Sequence, residues 1–354
     1  MSVEARRAST IEDVAARAGV SRAAVSKVIR DAYGVSPAMR AKVQSAIDEL
    51  GYRPRVSARG MRGSTYTLGF EIPSVSNHFF PKIITGATGA LAGTRYQLII
   101  APAGPEHDEG PQAIEVLADR QVDGIVAISS RVPTEWLENL ARGVPLVMIG
   151  RHHAAVHYDT LVGDDVSGAT LAVQHLYDLG HRRIIHLTLD KAGPDTVPGT
   201  PHGQRVVGYR QAIARLGLDE EIVWVGPTQE AARVGALEVL ALADGPVGIF
   251  AAHDELALGV LQAVWELRLT PGQASVVGYD DTDVAAHPYM SLTSINQSGT
   301  QMGAIAVRLL LERIAGRTDS VHEVLTPKVM SRNTTAAPQP RVHRPAGTAP
   351  APPS

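Results

Sequence analysis

The stretch from Thr10 to Arg62 limits most sharply what this chain can fold into. Thr10, with Asp13 three residues on, has the spacing of a capping box at a helix start. Ile11, Val14, Ala15 and Ala18 then recur at helical spacing. Gly19 stops that helix, and Ser21 can cap a second one running through Val28. Two short helices therefore meet across Gly19 and Val20. Ala15 is small enough for a close approach, and Val25 is an apolar lock between them. The pattern predicts a helix-turn-helix with its second helix over residues 21–30. An ordinary helical hairpin satisfies the same spacing, and charge separates the two. Residues 1–63 carry 12 Lys and Arg against 6 Asp and Glu, whereas the rest of the chain carries 21 against 30. The net charge of −3 thus hides a basic head on an acidic body, the asymmetry that a phosphate-binding head requires.

Ser36 and Pro37 form an N-cap and first-turn proline, so a third helix is expected to about Leu50. From residue 67 onward, short apolar runs alternate with helical stretches. The runs fall at 67–72, 97–101, 124–128, 145–149, 183–187, 222–225, 247–251 and 275–279, with helical patterns such as 169–179, 205–216 and 231–242 between them. Continuous apolar runs belong to parallel sheets covered on both faces, so the body is α/β and doubly wound. Its length is about that of two such units, which implies two lobes. Residues 336–354 are rich in proline and alanine and lack apolar periodicity, which predicts disorder. There is no cysteine, hence neither a disulfide framework nor thiolate chemistry. The N-terminus has no apolar signal-peptide core and no run reaches spanning length. A soluble cytoplasmic protein is expected.

Five motifs in order now carry a resemblance: Thr-x-x-Asp-Val-Ala, Ala-Gly-Val-Ser, Val-Ser-x-Val-Ile, Val-Ser-x-x-x-Arg-x-x-Val and Leu-Gly-Tyr-x-Pro. The chain resembles the lactose-repressor (LacI/GalR) family of bacterial transcription regulators over roughly residues 9–335, most specifically in the head. The resemblance implies a helix-turn-helix domain at 9–54 and a hinge at 55–63. It also implies a type I periplasmic-binding-protein-like body at 64–335 with chain crossings near residues 163, 295 and 325. Its DNA contacts map to Thr10, Ser21, Arg22, Ala23, Ser26, Lys27, Arg30, Tyr33, Arg55, Ser57, Ala58 and Met61, with Arg22 and Ala23 reading base edges. In the hinge, Met61 stands where the family usually has leucine and Arg55 where it has asparagine. Gly60 lowers helix propensity by about 1 kcal/mol relative to alanine. The implied partners are a pseudopalindromic operator, a small-molecule effector of saccharide type and a second copy of the chain. The dimer is expected on the N-terminal lobe, with no second level of assembly from the tail, which is leucine-free and proline-rich and cannot form a coiled coil.

Enzyme signals are weak. The chain has no G-x-S-x-G elbow, phosphate loop or G-x-G-x-x-G, and no cofactor is expected. Gly86, Gly89 and Gly93 sit in a helical pattern and point to close packing. His152, His153 and His157 have no acidic or cysteine partner pattern, which favours a pocket-lining loop over a metal site. Ligands of open α/β sheets sit beyond the carboxyl ends of strands. That rule selects Phe79, Arg151, Asp165 and His253 as effector contacts. The family's Arg-x-x-Gly-aromatic and Val-Gly-Tyr-Asp-Asp motifs add Arg205 and Asp280. His253 replaces the family's asparagine, and Asn77-His78-Phe79-Phe80 replaces Asn-Pro-Phe-Phe. Capping of the following helices is the competing role for Asp165 and Asp254. Two other readings remain at this point: a global regulator of the same fold with a protein co-effector, and a sugar-metabolising enzyme with a DNA-binding head.

Met61 is apolar within a basic, small-residue segment. An apolar wedge opening one base step costs a few kcal/mol, roughly, and the bent duplex returns it through added contacts. Met61→Ala is therefore expected to weaken operator binding strongly and random-duplex binding little, since the latter depends on phosphates. Paired titrations at matched salt decide, and equal losses on both duplexes would assign Met61 to the fold.

Overall fold

The computed structural model describes residues 9–29, 32–52, 64–103, 110–128, 132–189 and 199–340. Arg30, Arg55, Ser57, Ala58 and Met61, with the rest of the hinge and residues 341–354, lie outside them. The chain divides into two units, Met1–Thr65 and Tyr66–Ser354.

In the first unit, local signals fix three helices among the described residues. Helix α1 (Ile11–Ala18) opens on a complete capping box: Thr10 Oγ1 accepts from the Asp13 N–H, and Asp13 accepts from the Thr10 N–H. It ends at Gly19, which is left-handed (φ +65°), a conformation glycine adopts at little cost. Helix α2 (Arg22–Ile29) is capped by Ser21, whose Oγ accepts from the Ala24 N–H at 3.2 Å. Helix α3 (Pro37–Leu50) begins after Ser36, which caps the Met39 N–H, with Pro37 in the first turn. Val14, Val25, Val28, Val43 and Ala46 form the buried core where the three helices meet. A head this small has little apolar area to bury, so the caps matter. Removing one typically costs about 1 kcal/mol.

The second unit holds two parallel-sheet lobes. The first lobe begins with β1 (Thr67–Ile72), α4 (Phe79–Ala90), β2 (Gln97–Pro102), α5 (Gly110–Asp119), β3 (Gly124–Ala127), α6 (Thr134–Ala141), β4 (Leu146–Ile149) and β5 (Asp159–Gly163). The chain then crosses into the second lobe. There it forms α7 (Asp165–Asp178), β6 (Ile184–Leu189), α8 (Pro201–Leu216), β7 (Ile222–Val225) and α9 (Gln229–Ala241). These are followed by β8 (Val247–Ala251), α10 (Asp254–Glu266), β9 (Ala274–Tyr279), α11 (Asp283–Ala286) and β10 (Thr293–Asn296). It returns to the first lobe as α12 (Gly299–Ile314) and β11 (His322–Leu325), and crosses again to β12 (Lys328–Met330). The sheet orders are β11-β5-β4-β3-β1-β2 and β12-β10-β9-β8-β6-β7. Their pairings are parallel, save that β12 joins β10 antiparallel. Both sheets bury nearly all of their central strands, which is why those segments read as unbroken apolar runs.

Helix pairs close on glycine. A side chain at Gly86 would meet the Thr300 carbonyl, and one at Gly303 the Ile83 carbonyl, so α4 and α12 touch backbone to backbone. Gly89 and Gly93 do not share this role: neither has a neighbour within 4 Å of an added Cβ, and Gly93 lies past the end of α4. The crossings carry polar strands. Asp159 of β5 is fully buried and bonds Arg313, Arg317 and the Val321 N–H, tying α12 and the approach to β11 onto β5.

The tail corrects one expectation. Disorder from Ala336 fails for residues 336–340, which lie along the second lobe. The Ala336 carbonyl accepts from His181 Nε2, the Ala336 N–H donates to Ser275 Oγ, and the Gln339 N–H donates to the Gly272 carbonyl. Pro338 packs on Gly180. Pairing with loop carbonyls and hydroxyls needs no side-chain periodicity, so an apolar pattern does not reveal it.

Burial opposes ionisation of Asp159, but the bonds from Arg317, Arg313 and the Val321 N–H prevail and hold its carboxyl below the ordinary value. The stabilisation is then complete above the unfolded value of about 3.9 and lost as pH falls through the lower folded one. Removing one partner of a buried pair costs about 3–5 kcal/mol. Asp159→Asn is expected to lose about that much in urea unfolding at pH 7. The gap should narrow in acid; a gap unchanged down to pH 2 would contradict the assignment.

Candidate functional site

The head presents one helix face. Val25 and Val28 pin α2 to the core, which leaves Ser21, Arg22, Ala23 and Lys27 exposed on the opposite side and Ser26 half-buried between. Tyr33, after α2, is fully exposed. Arg22 lies 3.8 Å from Glu12, with both side chains mostly exposed, so that ion pair contributes little and leaves the guanidinium available. Thr10 and Ser21 spend their hydroxyls on caps. An arginine, a lysine and small residues at the start of an exposed helix suit the major groove, where arginine can bond guanine twice and alanine can meet a thymine methyl.

The second site is built in the body around Arg205, on the first turns of α8. Thr200 caps that helix and Pro201 starts it. The Arg205 side chain is 4% exposed and lies with its guanidinium carbon 3.7 Å above the centre of the Tyr279 ring. Nε donates to Asp165 Oδ1 at 2.8 Å, Nη1 to the Ala252 carbonyl at 2.6 Å, and Nη2 is 3.9 Å from Asp280 Oδ1. Burial works against the arginine's charge, but Asp165, Tyr279 and Asp280 outweigh it and hold the guanidinium protonated. Asp165 uses its other oxygen on His152 Nε2, 2.9 Å away across the lobes. Asp164, not Asp165, caps α7 through the Ser167 N–H, so the capping role falls one residue earlier than expected.

Asp280 and Asp281 follow β9 with φ of +106° and +49°, a costly conformation held by the surrounding bonds. The Asp280 N–H donates to the Ile295 carbonyl, and Gln297 Nε2 donates to its Oδ1. Burial pushes the Asp280 carboxyl well above the usual range, Arg205 opposing and Asp254 adding to the shift. Asp281 is paired with Arg332 and Asn296. His253 caps α10, its Nδ1 accepting from the Leu256 N–H at 3.4 Å, which assigns its proton to Nε2. Burial and then Arg205 push His253 down to about 4, so it is neutral. Asp254, the alternative cap, instead accepts from the Thr282 N–H and hydroxyl and from Ser294, bracing the loop after β9.

Of the six expected effector contacts, the structure gathers four, Asp165, Arg205, His253 and Asp280, and places two elsewhere. Phe79 is expected to offer its ring to a ligand; the structure buries it in the first lobe's core against Gly299, and Phe80 beside it stays half-exposed. Arg151 turns to α6, donating to Thr134 Oγ1 and the Val132 carbonyl. Residues not singled out also border the cleft. His78 bonds Glu255 across the lobes, and Lys82 donates to the Asp281 carbonyl. Gln297 follows β10, and the strand-end rule would have found it had Thr-Ser-Ile-Asn read as a strand. Among the described residues, no group of three or more His, Cys, Asp or Glu is placed to hold a metal, and no helix is long and apolar enough to cross a membrane.

A basic helix-turn-helix head on a two-lobed body with a polar cleft defines the class: a DNA-binding transcriptional regulator. Comparisons agree. Residues 10–55 match the lacI family of bacterial regulatory proteins, and residues 173–335 match a periplasmic binding protein-like domain. The chain is 31% identical to the HTH-type transcriptional repressor PurR of Vibrio atlanticus (strain LGP32) over 339 residues, covering 92% of this chain and 98% of the relative. It is 31% identical to the ribose operon repressor of Escherichia coli (strain K12) over 334 residues, covering 92% and 99%. A solved complex of the transcriptional regulator CelR with cellobiose matches at 30% identity and a TM-score of 0.65, covering 92% and 99%. The chain belongs to the lacI family.

Arg22→Ala is expected to cost about 1–3 kcal/mol of operator binding and to relax the preference at one base pair per half-site. Selection from random duplexes reads this out; an unchanged consensus would remove Arg22 from base reading.

Proposed function

We propose that this chain is a repressor whose grip on its operator is set by a small molecule, of saccharide type, held between the two lobes. The observation that carries this is the buried group of Arg205, Asp165 and Asp280, with neutral His253 beside it. It sits at the carboxyl ends of β8 and β9 and the starts of α7 and α8, where an open α/β sheet binds ligands. Carboxylates and an arginine can bond adjacent hydroxyls of a sugar. The CelR complex holds cellobiose and another relative is the ribose operon repressor, which supports the class. In this reading residues 9–54 hold DNA, 55–63 form the hinge and 64–335 bind effector and partner.

The effector acts by differential affinity for two lobe arrangements. Contacts such as His152–Asp165 and Lys82–Asp281, which join the lobes at the cleft, change with it. A second copy docks on the first lobe. Edge strand β2 and helix α5 expose Ile99, Ile100 and Val116 together there, and an uncovered apolar sheet edge invites pairing. Operator titration by fluorescence anisotropy, with and without ribose and cellobiose, tests the reading. A shift in the operator midpoint that disappears in Arg205→Gln is the expected result. Operator binding indifferent to every sugar, nucleoside and small acid tried would defeat it.

A further inference from the structure

We infer that Tyr66 is a positioning residue for operator binding. Pinned in a left-handed turn, it fixes the direction in which the chain enters the body and, through that, the spacing of half-sites that two copies accept. This rests on the reading that residues 9–54 hold DNA, and it adds what sets the separation of two heads.

Tyr66 is the first residue of the second unit and stands just before β1. Its φ is +53°, a region that a bulky side chain rarely enters. Gln121 and Arg268 share that conformation, at +55° each, but they follow α5 and α10, where a left-handed residue ordinarily ends a helix. Tyr66 follows residues 64 and 65, which are not helical. Such a residue persists only where its surroundings dictate it, and here they engage every polar group it has. The N–H donates to Asp123 Oδ2 at 2.8 Å, and the carbonyl accepts from the Gln97 N–H at 2.9 Å. The Arg95 guanidinium carbon lies 4.1 Å from the centre of the ring, and its Nη1 donates to the hydroxyl at 3.3 Å. Tyr96 meets the ring in a T-shaped contact, 5.5 Å between centroids. Asp123 is itself fixed, its N–H donating to the Thr67 carbonyl. Strand β1 pairs with β2 on one side and β3 on the other, so the residues that lead into those two strands grip Tyr66 from both sides.

Anchoring β1 does not require this. The strand is paired along its length from Thr67 onward, and residues 68–72 are buried. A half-buried aromatic in a costly turn one residue earlier adds little to that core. What the grip does determine is the course of the residues before it. A left-handed residue turns the chain off the strand's axis, so residues 64 and 65 do not prolong β1. Tyr66 is thus where the sheet hands over to the segment that leads to the head. Two copies on one duplex must place two heads at once, and the direction of each entry limits where a head can reach. Adding or removing one base pair between half-sites turns one of them by roughly a tenth of a helical turn relative to the other. A fixed entry therefore favours one spacing, and a loosened one tolerates several.

The test uses the full-length chain and the consensus duplex that the wild type selects from random sequences. Companion duplexes are lengthened or shortened by one and two base pairs between half-sites, and one carries a single half-site. Tyr66→Gly removes the ring and lets the chain take either sign of φ. Arg95→Ala removes an exposed side chain and with it the cover on the ring. Fluorescence anisotropy at matched salt reads binding, and thermal unfolding is followed in parallel. The expected wild type binds the selected spacing on the order of 10-fold more tightly than its neighbours. In Tyr66→Gly that preference should fall toward parity, while binding to the single half-site stays as in the wild type. If Tyr66→Gly does not fold, Arg95→Ala decides by the same measure. A folded variant that keeps the full spacing preference, with or without a lower Tm, makes Tyr66 a structural residue and overturns the inference, as does a wild type indifferent to spacing. A wild type that selects no paired half-sites instead removes the DNA-binding reading, and the inference falls with it.

Discussion

The body depends on the cost of burying a cation. Arg205 is charged and nearly inaccessible. Its partners come from three separate places in the chain: Asp165 at the start of α7, the Ala252 carbonyl after β8 and Asp280 after β9. None of these is closer than forty residues to Arg205 in sequence, so their pairing requires the second sheet and both helices in place. An unpaired buried guanidinium is far costlier than a paired one, and this couples the cleft floor to the fold. Tyr279 shows how tightly. Its ring lies under Arg205, and its hydroxyl occupies the space where a side chain at Gly168 would project, so α7 can lie on β9 only with glycine there.

The cleft is also where the chain changes lobe. β5 leads directly into Asp164 and Asp165, β10 ends on Asn296 and leads into Gln297, and β11 leads into β12. The crossings thus supply residues of the cleft floor and residues that brace it together. Asp165 joins Arg205, Gln297 joins Asp280, and Asn296 joins Asp281. A shift of one lobe against the other moves these residues at their backbones. That offers a physical route from ligand to lobe arrangement which needs no separate relay.

What the sequence disclosed follows from this division of labour. The head was legible because its signals are local: a capping box, a left-handed glycine and a proline in the first turn lie within a few residues of what they control. Central strands were legible because both faces are covered and only apolar residues fit. The strands at the crossings were not. β5 opens on Asp159, β10 reads Thr-Ser-Ile-Asn, and β11 carries His322 and Glu323. Their polar groups are satisfied by partners more than a hundred residues away, as Asp159 is by Arg313 and Arg317, or by the late chain, as Thr293 is by Thr334 and Thr335. Periodicity cannot register such bonds. The same blindness explains residues 336–340.

At the site, strand-end reasoning located the neighbourhood and misjudged some individual side chains. It treated every polar or aromatic residue past a strand as facing the ligand, whereas direction is set by the next turn of backbone. Asp164 and Asp165 are adjacent, and the helix start turns the first toward its own N–H groups and the second toward Arg205. Phe79 and His78 are also adjacent. Phe79, the first residue of α4, is drawn into the core by the close contact of α4 with α12, and His78 is left to reach Glu255 across the cleft. The aromatic ring that composition nominates for a sugar is therefore spent on packing. What the cleft keeps is its polar floor, where Arg205, Asp165, Asp280 and Gln297 meet.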